Sequence, residues 1–406
     1  MNKPVLIFRL TPGNRFTIPV LLHSLETTGL DKEFLIKESD SRRSLDDLIE
    51  KDRTPCIAYS FMTPHVPSVL LEIEKLRKKW RDGVFLLAGG PHPTGDPEGT
   101  LRMGFDAVVC GDGETGLPEF CRTVLHGNAK SGAVLRAHPI ADLDQSLPLS
   151  SHTAFVPPLE ITRGCFHGCM FCQTRGRKPL HRSSESVQEY LDGLVRLGYL
   201  FRAGFICPSG FEYGGSKPGA VPIEILETLL RAAKARGIRH LEYAIFPSEV
   251  RPNTVTPPFL GCVKKYCSNK KITVGAQTGS AGALAAMKRG HALEDTERAS
   301  ALIREHGFRP QLDFIIGFPD ETEEEQIRTL EWIRHLSVSY GTWNQMHFFQ
   351  PLSGTPLYRK KPSPLSPRVI RMLNRWKRNG YASDWWKRGL ATAKRLEKTM
   401  EEIERR

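Results

Sequence analysis

The stretch Ile161-Thr162-Arg163-Gly164-Cys165-Phe166-His167-Gly168-Cys169-Met170-Phe171-Cys172 decides how the rest of the chain is interpreted. Its three cysteines follow a C-x3-C-x2-C spacing within eight residues. Three thiolates this close can bind three irons of one iron–sulfur cube and leave the fourth iron open. An open metal position is where a substrate binds and reacts. We therefore predict a catalytic 4Fe–4S cluster with Cys165, Cys169 and Cys172 as its metal ligands.

A structural zinc site is the alternative for this triplet, with His167 as a fourth ligand. Zinc sites commonly use two separated ligand pairs. Here the ligands form one tight triplet, and the spacing of the other close cysteine pair, Cys262 and Cys267, does not match a zinc motif. The cluster is therefore the favoured interpretation.

The bulk composition is that of a globular protein. The chain has 406 residues, enough for two or three domains, with 40% hydrophobic and 25% charged residues. No apolar run approaches the length of a membrane span, so we expect no membrane partner. The first residues are too soon polar for a signal peptide, and nine cysteines, an odd number, do not indicate a disulfide framework. We expect a cytoplasmic location.

The net charge of +12 is compatible with a nucleic acid, an acidic partner or an anionic cofactor. Because the Lys and Arg residues are spread along the chain rather than gathered in blocks, the favoured interpretation is a generally basic surface without a dedicated partner, and we do not expect nucleic acid to bind. Nothing in the sequence indicates the oligomeric state.

Residues 1–145 alternate short apolar runs with amphipathic segments, which predicts an α/β domain with a doubly wound, Rossmann-like parallel sheet. The predicted strands are 4–10, 34–37, 56–62, 84–88 and 107–110. Ligands of such sheets bind at the carboxyl ends of the strands. The stretch after residue 125 is polar, contains prolines and is predicted to be a linker up to residue 154.

Three loops at these carboxyl ends carry small and hydroxyl residues. They read Ser60-Phe61-Met62-Thr63, Gly89-Gly90-Pro91-His92-Pro93-Thr94 and Gly111-Asp112-Gly113-Glu114. Glycines let the backbone approach a large flat ligand, and hydroxyls bond to its polar edges.

The cysteine triplet, with an aromatic residue before its last cysteine, resembles the signature of radical S-adenosylmethionine (radical SAM) enzymes. The upstream loops resemble the cobalamin-binding domain of one large branch of that family. The resemblance implies cobalamin contacts from Ser60, Thr63, Gly89, Gly90, His92, Gly111, Gly113 and Glu114. A histidine that only fixes its own turn is the alternative for His92, and a domain that has lost its ligand is the alternative for the whole region.

One departure concerns the lower face of the cobalt. Many cobalamin proteins have D-x-H-x-x-G after the first strand, and its histidine coordinates cobalt. Here residues 10–16 read Leu-Thr-Pro-Gly-Asn-Arg-Phe, with no histidine. The resemblance then implies cobalamin bound with its own base displaced and without a histidine ligand.

Residues 146–357 contain six successive strand–helix units, which predict a partial (β/α)6 TIM barrel. Its strand ends and turns resemble those of radical SAM enzymes at 274–280 (VGAQTGS), 287–291 (MKRGH), 316–322 (IGFPDET) and 353–358 (SGTPLY). The resemblance implies S-adenosylmethionine contacts from Phe171, Ser209, Gly210, Ser248, Glu249, Arg251 and Gln277. A planar guanidinium fork at position 251 suits the methionine carboxylate, and a surface salt bridge is the alternative.

Residues 358–406 are predicted to form a small, basic helical extension with three tryptophans, at 376, 385 and 386. Basic residues with aromatic neighbours can stack on nucleic acid. They can equally cover the open barrel edge or dock a protein substrate. A charged helix is predicted over residues 390–405, and a solvated helix is the favoured interpretation of residues 391–406.

The resemblance implies a methyltransferase that transfers a methyl group from methylcobalamin to an unactivated carbon. A deoxyadenosyl radical starts the reaction, and an external donor supplies the electrons. The favoured substrate is a peptide or protein side chain, and one conjecture is an active-site residue of methyl-coenzyme M reductase. Ring formation or rearrangement of a small molecule with the same cofactors is the alternative enzyme. A binding protein without catalysis, holding an iron–sulfur cluster and cobalamin, is the alternative of another class.

Overall fold

A computed structural model describes residues 3–40, 44–49, 54–219 and 222–406 of the chain. The chain forms two compact units, each built from separate segments. The N-terminal unit comprises Met1–Pro157, Leu352–Arg359 and Lys394–Arg406, and the barrel unit comprises Pro158–Pro351 and Lys360–Ala393.

The N-terminal unit contains alternating strands and helices. They are β1 (Val5–Arg9), α1 (Thr17–Thr27), β2 (Leu35–Ser39), α2 (Leu45–Leu48), β3 (Cys56–Ser60), α3 (Val66–Trp80), β4 (Phe85–Gly89), α4 (Pro91–Gly95), α5 (Pro97–Arg102), β5 (Ala107–Cys110), α6 (Gly113–Leu125) and β6 (Ala133–Arg136). Single turns of 3₁₀ helix lie at Leu30–Lys32, Thr63–His65, Arg81–Gly83 and Leu143–Gln145.

The six strands form one parallel sheet in the order β2-β1-β3-β4-β5-β6. This confirms the predicted doubly wound α/β fold. The sixth strand is a correction, because residues 133–136 were predicted to be linker. This segment has only four residues, and its pairing with β5, in which Ala133 lies opposite Ala107, is a long-range contact that local periodicity does not reveal.

Both faces of this sheet are buried, which accounts for the apolar runs of its strands. On one face Ile7, Ile57 and Leu86 pack with α3. On the other face Leu6, Ala58 and Leu87 pack with α1 and α6. Successive side chains of a strand point to opposite faces, so each strand contributes to both layers.

The first of these layers includes residues from the far end of the chain. Leu396 and Ile403, each 1% exposed, belong to the same core cluster as α3, and the partly buried Met400 packs against it. Their spacing of four and three residues puts all three on one helical face. The N-terminal unit is therefore completed by residues 394–406.

The barrel unit starts with β7 (Leu159–Glu160) and continues through short strands and longer helices. These are β8 (Thr162–Arg163), β9 (Leu180–His181), α7 (Ser184–Arg196), β10 (Arg202–Ile206), α8 (Ile223–Ala235), β11 (His240–Glu242), α9 (Pro257–Tyr266), β12 (Lys271–Gln277), α10 (Ala281–Ala286), α11 (Leu293–Glu305), β13 (Arg309–Ile316), α12 (Glu323–Tyr340) and β14 (Trp343–Phe348). Single turns of 3₁₀ helix lie at Gly210–Glu212 and Pro252–Thr254.

Six of these strands form two parallel three-stranded sheets, β11-β10-β7 and β12-β13-β14. A parallel bridge between Val250 and Val274 connects the segment after β11 to β12. The strands therefore follow one another around a partial barrel, as predicted. The two remaining strands, β8 and β9, form an antiparallel pair.

The division into units differs from the predicted boundaries at 145 and 357. The SGTPLY segment, which was assigned to the barrel, lies in the N-terminal unit. The predicted extension forms α13 (Pro367–Arg378) and α14 (Trp385–Glu404). Residues 360–393 belong to the barrel unit, and residues 394–406 belong to the N-terminal unit. In the described residues we find no helix with the length and apolarity that spanning a membrane would require.

We predict that Ile403→Ala destabilises the N-terminal unit by about 3 kcal/mol, because it removes a fully buried side chain and leaves a cavity. Urea unfolding monitored by circular dichroism measures this change. Lys398→Ala, at an exposed position of the same helix, is the matched control and should have little effect. Equal midpoints for the two variants would contradict the role of this helix in the core.

Candidate functional site

The cysteine loop of the barrel unit is tied to its own hairpin. Gly164 has a φ of +91°, and a Cβ atom there would lie 2.8 Å from the carbonyl oxygen of Arg177. The next residue, Cys165, donates its backbone N–H to the same carbonyl at 3.0 Å. Only glycine fits this turn readily, and it starts the loop that carries all three cysteines.

Cys169 is the most buried of the three cysteines, at 5% exposure. Its Sγ lies 3.4 Å from Nη1 of Arg289 and 3.7 Å from Nη1 of Arg251. Burial alone would raise the pKa of this thiol, but the two guanidinium groups lower it below its ordinary value. The site therefore favours the thiolate, which is the form that binds metal.

The two arginines are themselves unusual. Arg251 and Arg289 are 4% and 8% exposed, and the Nε of each has no hydrogen-bond partner. Within the described ranges neither pairs with a carboxylate; Arg289 donates to the carbonyl of Gly275 at 2.8 Å, and Arg251 donates to the carbonyl of Arg289. Burial and the neighbouring Arg251 lower the pKa of Arg289. Two adjacent buried cations need negative charge beside them.

The other two cysteines are half-buried. Burial raises the pKa of Cys165, and the Sγ of Cys172 lies 3.0 Å from the hydroxyl of Thr174. Across the described ranges, no three His, Cys, Asp or Glu side chains converge tightly enough to hold a single metal ion. The three sulfur atoms that bind a cube-shaped cluster can lie farther apart than the ligands of a single ion, because each thiolate binds a different iron. The donor type and the nearby positive charge fit such an anionic group.

His167, the fourth ligand of the zinc alternative, is engaged elsewhere. Its Nε2 lies 2.9 and 3.0 Å from the two carboxylate oxygens of Glu212. Burial alone would raise the pKa of Glu212, but the hydrogen bonds that it accepts from His167 and from the backbone N–H of Gly219 help to lower it to about 2. Sequence reasoning missed Glu212, which comes three residues after Ser209.

The strand ends predicted to contact S-adenosylmethionine lie close to one another. Gly210 donates its backbone N–H to the carbonyl of Glu249 at 2.8 Å, and a Cβ on Gly210 would lie 2.3 Å from the carbonyl oxygen of Ser248. The loops after β10 and β11 are thus in backbone contact. The hydroxyl of Ser248 donates to the carbonyl of Ile245 at 3.0 Å, and burial raises the pKa of Glu249.

Gln277 ends β12 with a φ of +73°, a conformation that a residue with a side chain rarely adopts. Such strain is often found at functional positions. A Cβ on Gly275 would lie 2.6 Å from the side-chain nitrogen Nε2 of Gln277 and 2.9 Å from Nη2 of Arg289. The half-buried Phe171 follows Met170, whose backbone N–H donates to the carbonyl of Met287 at 3.0 Å. This contact connects the cysteine loop to the turn that carries Arg289. Arg289 itself was not predicted as a site residue.

In the N-terminal unit, four of the predicted cobalamin contacts lie at an accessible edge of the sheet. Ser60, Gly89 and Gly90 are half-buried, and Gly111 is exposed. Gly90 has a φ of +95°, and a Cβ there would lie 2.8 Å from the hydroxyl of Ser60. The N–H of Gly111 donates to the hydroxyl of Thr94 at 3.0 Å. Small residues and hydroxyls at one edge fit a large flat ligand.

The other predicted contacts are placed differently. Thr63 and His92 are buried, and Nδ1 of His92 lies 3.1 Å from the hydroxyl of Thr63. Burial lowers the pKa of His92 to about 4, so its ring is neutral near neutral pH. Gly113 and Glu114 form the first turn of α6. The position of His92 favours the alternative of a histidine that fixes its own loop.

The loop after β1 has no histidine of its own, but one approaches it from the loop after β3. A Cβ on Gly13 would lie 2.3 Å from Cε1 of His65. Nδ1 of His65 accepts a hydrogen bond from the backbone N–H of Met62 at 3.4 Å. Sequence reasoning missed this proximity, because residues 13 and 65 are far apart in the chain.

Two family models match the chain. The radical SAM superfamily matches residues 159–333, and the B12 binding domain matches residues 16–121. These matches confirm the predicted domain types and, with them, the predicted cofactors: a 4Fe–4S cluster, S-adenosylmethionine and cobalamin.

Relatives resemble the chain at low identity. An uncharacterized methyltransferase of Pyrococcus horikoshii is 25% identical over 319 residues, which cover 70% of this chain and 65% of that protein. A tRNA-2-methylthio-N(6)-dimethylallyladenosine synthase of Chromohalobacter salexigens is 31% identical over 212 residues, covering 50% of this chain and 44% of that protein. The chain thus spans less than two thirds of the length of either relative.

Two solved structures share the fold. The radical S-adenosylmethionine methyltransferase TsrM from Kitasatospora setae, with cobalamin and a 4Fe–4S cluster bound, aligns with a TM-score of 0.63 at 17% identity, covering 88% of this chain and 74% of TsrM. The cobalamin-dependent S-adenosylmethionine radical enzyme OxsB, with aqua-cobalamin and S-adenosylmethionine bound, aligns with a TM-score of 0.62 at 13% identity, covering 94% of this chain and 62% of OxsB.

We predict that Gly275→Ala lowers the rate of reductive S-adenosylmethionine cleavage at least about tenfold, because the new methyl group displaces the side chains of Gln277 and Arg289. Formation of 5′-deoxyadenosine by anaerobically reconstituted protein measures this rate. Gly261→Ala is the matched control, since a Cβ there meets no atom within 4 Å apart from its chain neighbours and the backbone of its own helix. A Gly275→Ala rate equal to that of the control would show that the close packing has no catalytic role.

Proposed function

We propose that the chain, whose residues 159–333 match the radical SAM superfamily and whose residues 16–121 match the B12 binding domain, is a cobalamin-dependent radical SAM methyltransferase that acts on an unactivated carbon. The observation that carries the proposal is the pair of buried arginines, 251 and 289, that converge on Cys169 without a carboxylate partner in the described ranges. A structural zinc site has no need for such a pair, whereas an anionic cluster beside a substrate with a carboxylate does.

In this proposal Cys165, Cys169 and Cys172 hold the cluster. The residues at 209–210, 248–249, 251 and 277 surround S-adenosylmethionine, and the accessible edge at Ser60, Gly89, Gly90 and Gly111 receives cobalamin. When bound, these groups supply a radical that abstracts hydrogen and a methyl group for the resulting carbon radical.

The protein's own residues keep this chemistry in place. Arg251 and Arg289 stabilise the thiolate of Cys169 by charge. The His167–Glu212 pair holds the cysteine loop against the turn after β10. Gly275 leaves room for the ends of Gln277 and Arg289. Each of these contacts orients a group before reaction, which is how a protein lowers the entropic part of a barrier.

The substrate in this proposal is a peptide or protein side chain. Helix α13 supports it with four exposed arginines, Arg368, Arg371, Arg375 and Arg378, spaced three or four residues apart and therefore on one face. In the described part of the chain none of the four forms an ion pair with a carboxylate. A partner with acidic residues around the modified side chain fits this face.

We predict that reconstituted protein supplied with S-adenosylmethionine and a reductant forms 5′-deoxyadenosine, and that Cys169→Ala abolishes this activity because one iron loses its ligand. Cys267→Ala, outside the loop, is the matched control and should retain activity. With cobalamin and cell extract, S-adenosylhomocysteine should accumulate as well. Cleavage without S-adenosylhomocysteine would contradict methyl transfer, and no cleavage would contradict the radical chemistry.

We also predict that deleting the gene removes one methyl group from a protein of the host. Mass spectrometry of tryptic peptides should find one peptide lighter by about 14 Da, the mass of a CH2 group, in the deletion strain. Complementation with the wild-type gene should restore the mass, and complementation with the Cys169→Ala variant should not. A proteome without such a difference would contradict the proposed substrate class.

A further inference from the structure

The SGTPLY segment follows the last barrel strand, yet it lies in the N-terminal unit. We call residues Leu352–Arg359 the strap. Ser353 at its start is 0% exposed. Its backbone N–H donates to the hydroxyl of Thr63 at 3.0 Å, and its own hydroxyl lies 3.2 Å from the carbonyl of Pro91 and 3.1 Å from that of His92. One serine thus contacts the loops after both β3 and β4.

The middle of the strap is in direct backbone contact with the loop after β4. A Cβ on Gly95 would lie 2.4 Å from the backbone nitrogen of Gly354 and 2.5 Å from the carbonyl carbon of Ser353. Gly354 itself has a φ of +72°. Two glycines are therefore needed for the two backbones to come this close.

The end of the strap holds the end of the same loop. The hydroxyl of Tyr358 donates to Oδ2 of the buried Asp96 at 2.6 Å. The other carboxylate oxygen, Oδ1, accepts from the backbone N–H of Gly99 at 3.1 Å and caps α5. The ring of Tyr358 also lies edge-on to that of His92, with centroids 6.4 Å apart. The strap therefore fixes the loop at residues 91, 92, 95 and 96.

We propose that the strap positions the loop at residues 89–96 for cobalamin, with Ser353 and Tyr358 as positioning residues. The inference rests on the proposed function, in which this edge binds cobalamin. This segment contains three glycines, and its helix α4 has only five residues, too few to be stable alone. Ordering the segment on binding would weaken affinity. Because the strap orders the loop beforehand, the accessible backbone of Gly89 and Gly90 is presented in one arrangement.

The test compares full-length Ser353→Ala and Tyr358→Phe, each of which removes one hydroxyl group. Titration with hydroxocobalamin, followed by absorbance, should give a dissociation constant about tenfold higher for each variant, as expected for the loss of one buried hydrogen bond. The urea midpoint of the cobalamin-free protein should fall by no more than it does in a control variant that also loses one buried hydrogen bond. Amide hydrogen exchange at residues 90, 92 and 94–96 should become faster than in the wild type.

Ser24→Ala is the matched control, because among the described residues the hydroxyl of this buried serine bonds only within its own helix, to the carbonyl of Leu21. It should bind cobalamin as the wild type does. Unchanged affinity in both strap variants would overturn the inference. So would a loss of affinity that only parallels a lower urea midpoint, since that indicates general unfolding. A wild-type protein that binds no cobalamin would overturn the proposed function as well. Failure of the strap inference alone would instead leave cobalamin binding by the wild type intact.

Discussion

Two buried guanidinium groups beside one thiol are the interaction on which the barrel site depends. Cations removed from water are stable only with negative charge nearby, and in the described ranges the side chain that both Arg251 and Arg289 reach is that of Cys169, whose pKa they lower. The surrounding backbone follows from this requirement. Gly164 starts the turn that brings the loop there, and Gly275 makes room for the end of Arg289. Arg251, which the resemblance assigned to the methionine carboxylate of S-adenosylmethionine, is therefore buried beside a thiol and does not lie on the surface.

Local patterns were enough to predict most strands and helices of both units and the loop that carries the cysteines, but not β6, which was assigned to a linker. These features depend on neighbouring residues: alternating apolar positions, glycines after strands and a tight ligand spacing. What the sequence could not reveal depends on contacts between distant residues. Glu212 matters because its carboxylate meets His167, and His65 because its ring approaches Gly13. Arg289 stood in a recognised turn motif, but only the fold shows that its side chain is buried against a thiol.

Contacts between distant residues also explain why two late segments of the chain belong to the N-terminal unit. Residues 353–358 looked like the closing turn of the barrel, and residues 390–405 looked like a solvated charged helix. Their partners, Thr63, Asp96 and the core under α3, lie some 250 to 340 residues earlier in the chain. The apolar positions 396, 400 and 403 form a narrow stripe between charged residues. Such a stripe does not indicate which surface it covers.

The use of residues 394–406 in the first core has a consequence for biosynthesis. The ribosome makes the N-terminal sheet first, and domains generally fold as they emerge. Here the layer over α3 lacks Leu396 and Ile403 until the whole barrel has been translated. The nascent N-terminal unit therefore leaves the ribosome with α3 in place but with part of this core layer unfilled. The region that is encoded first is completed last.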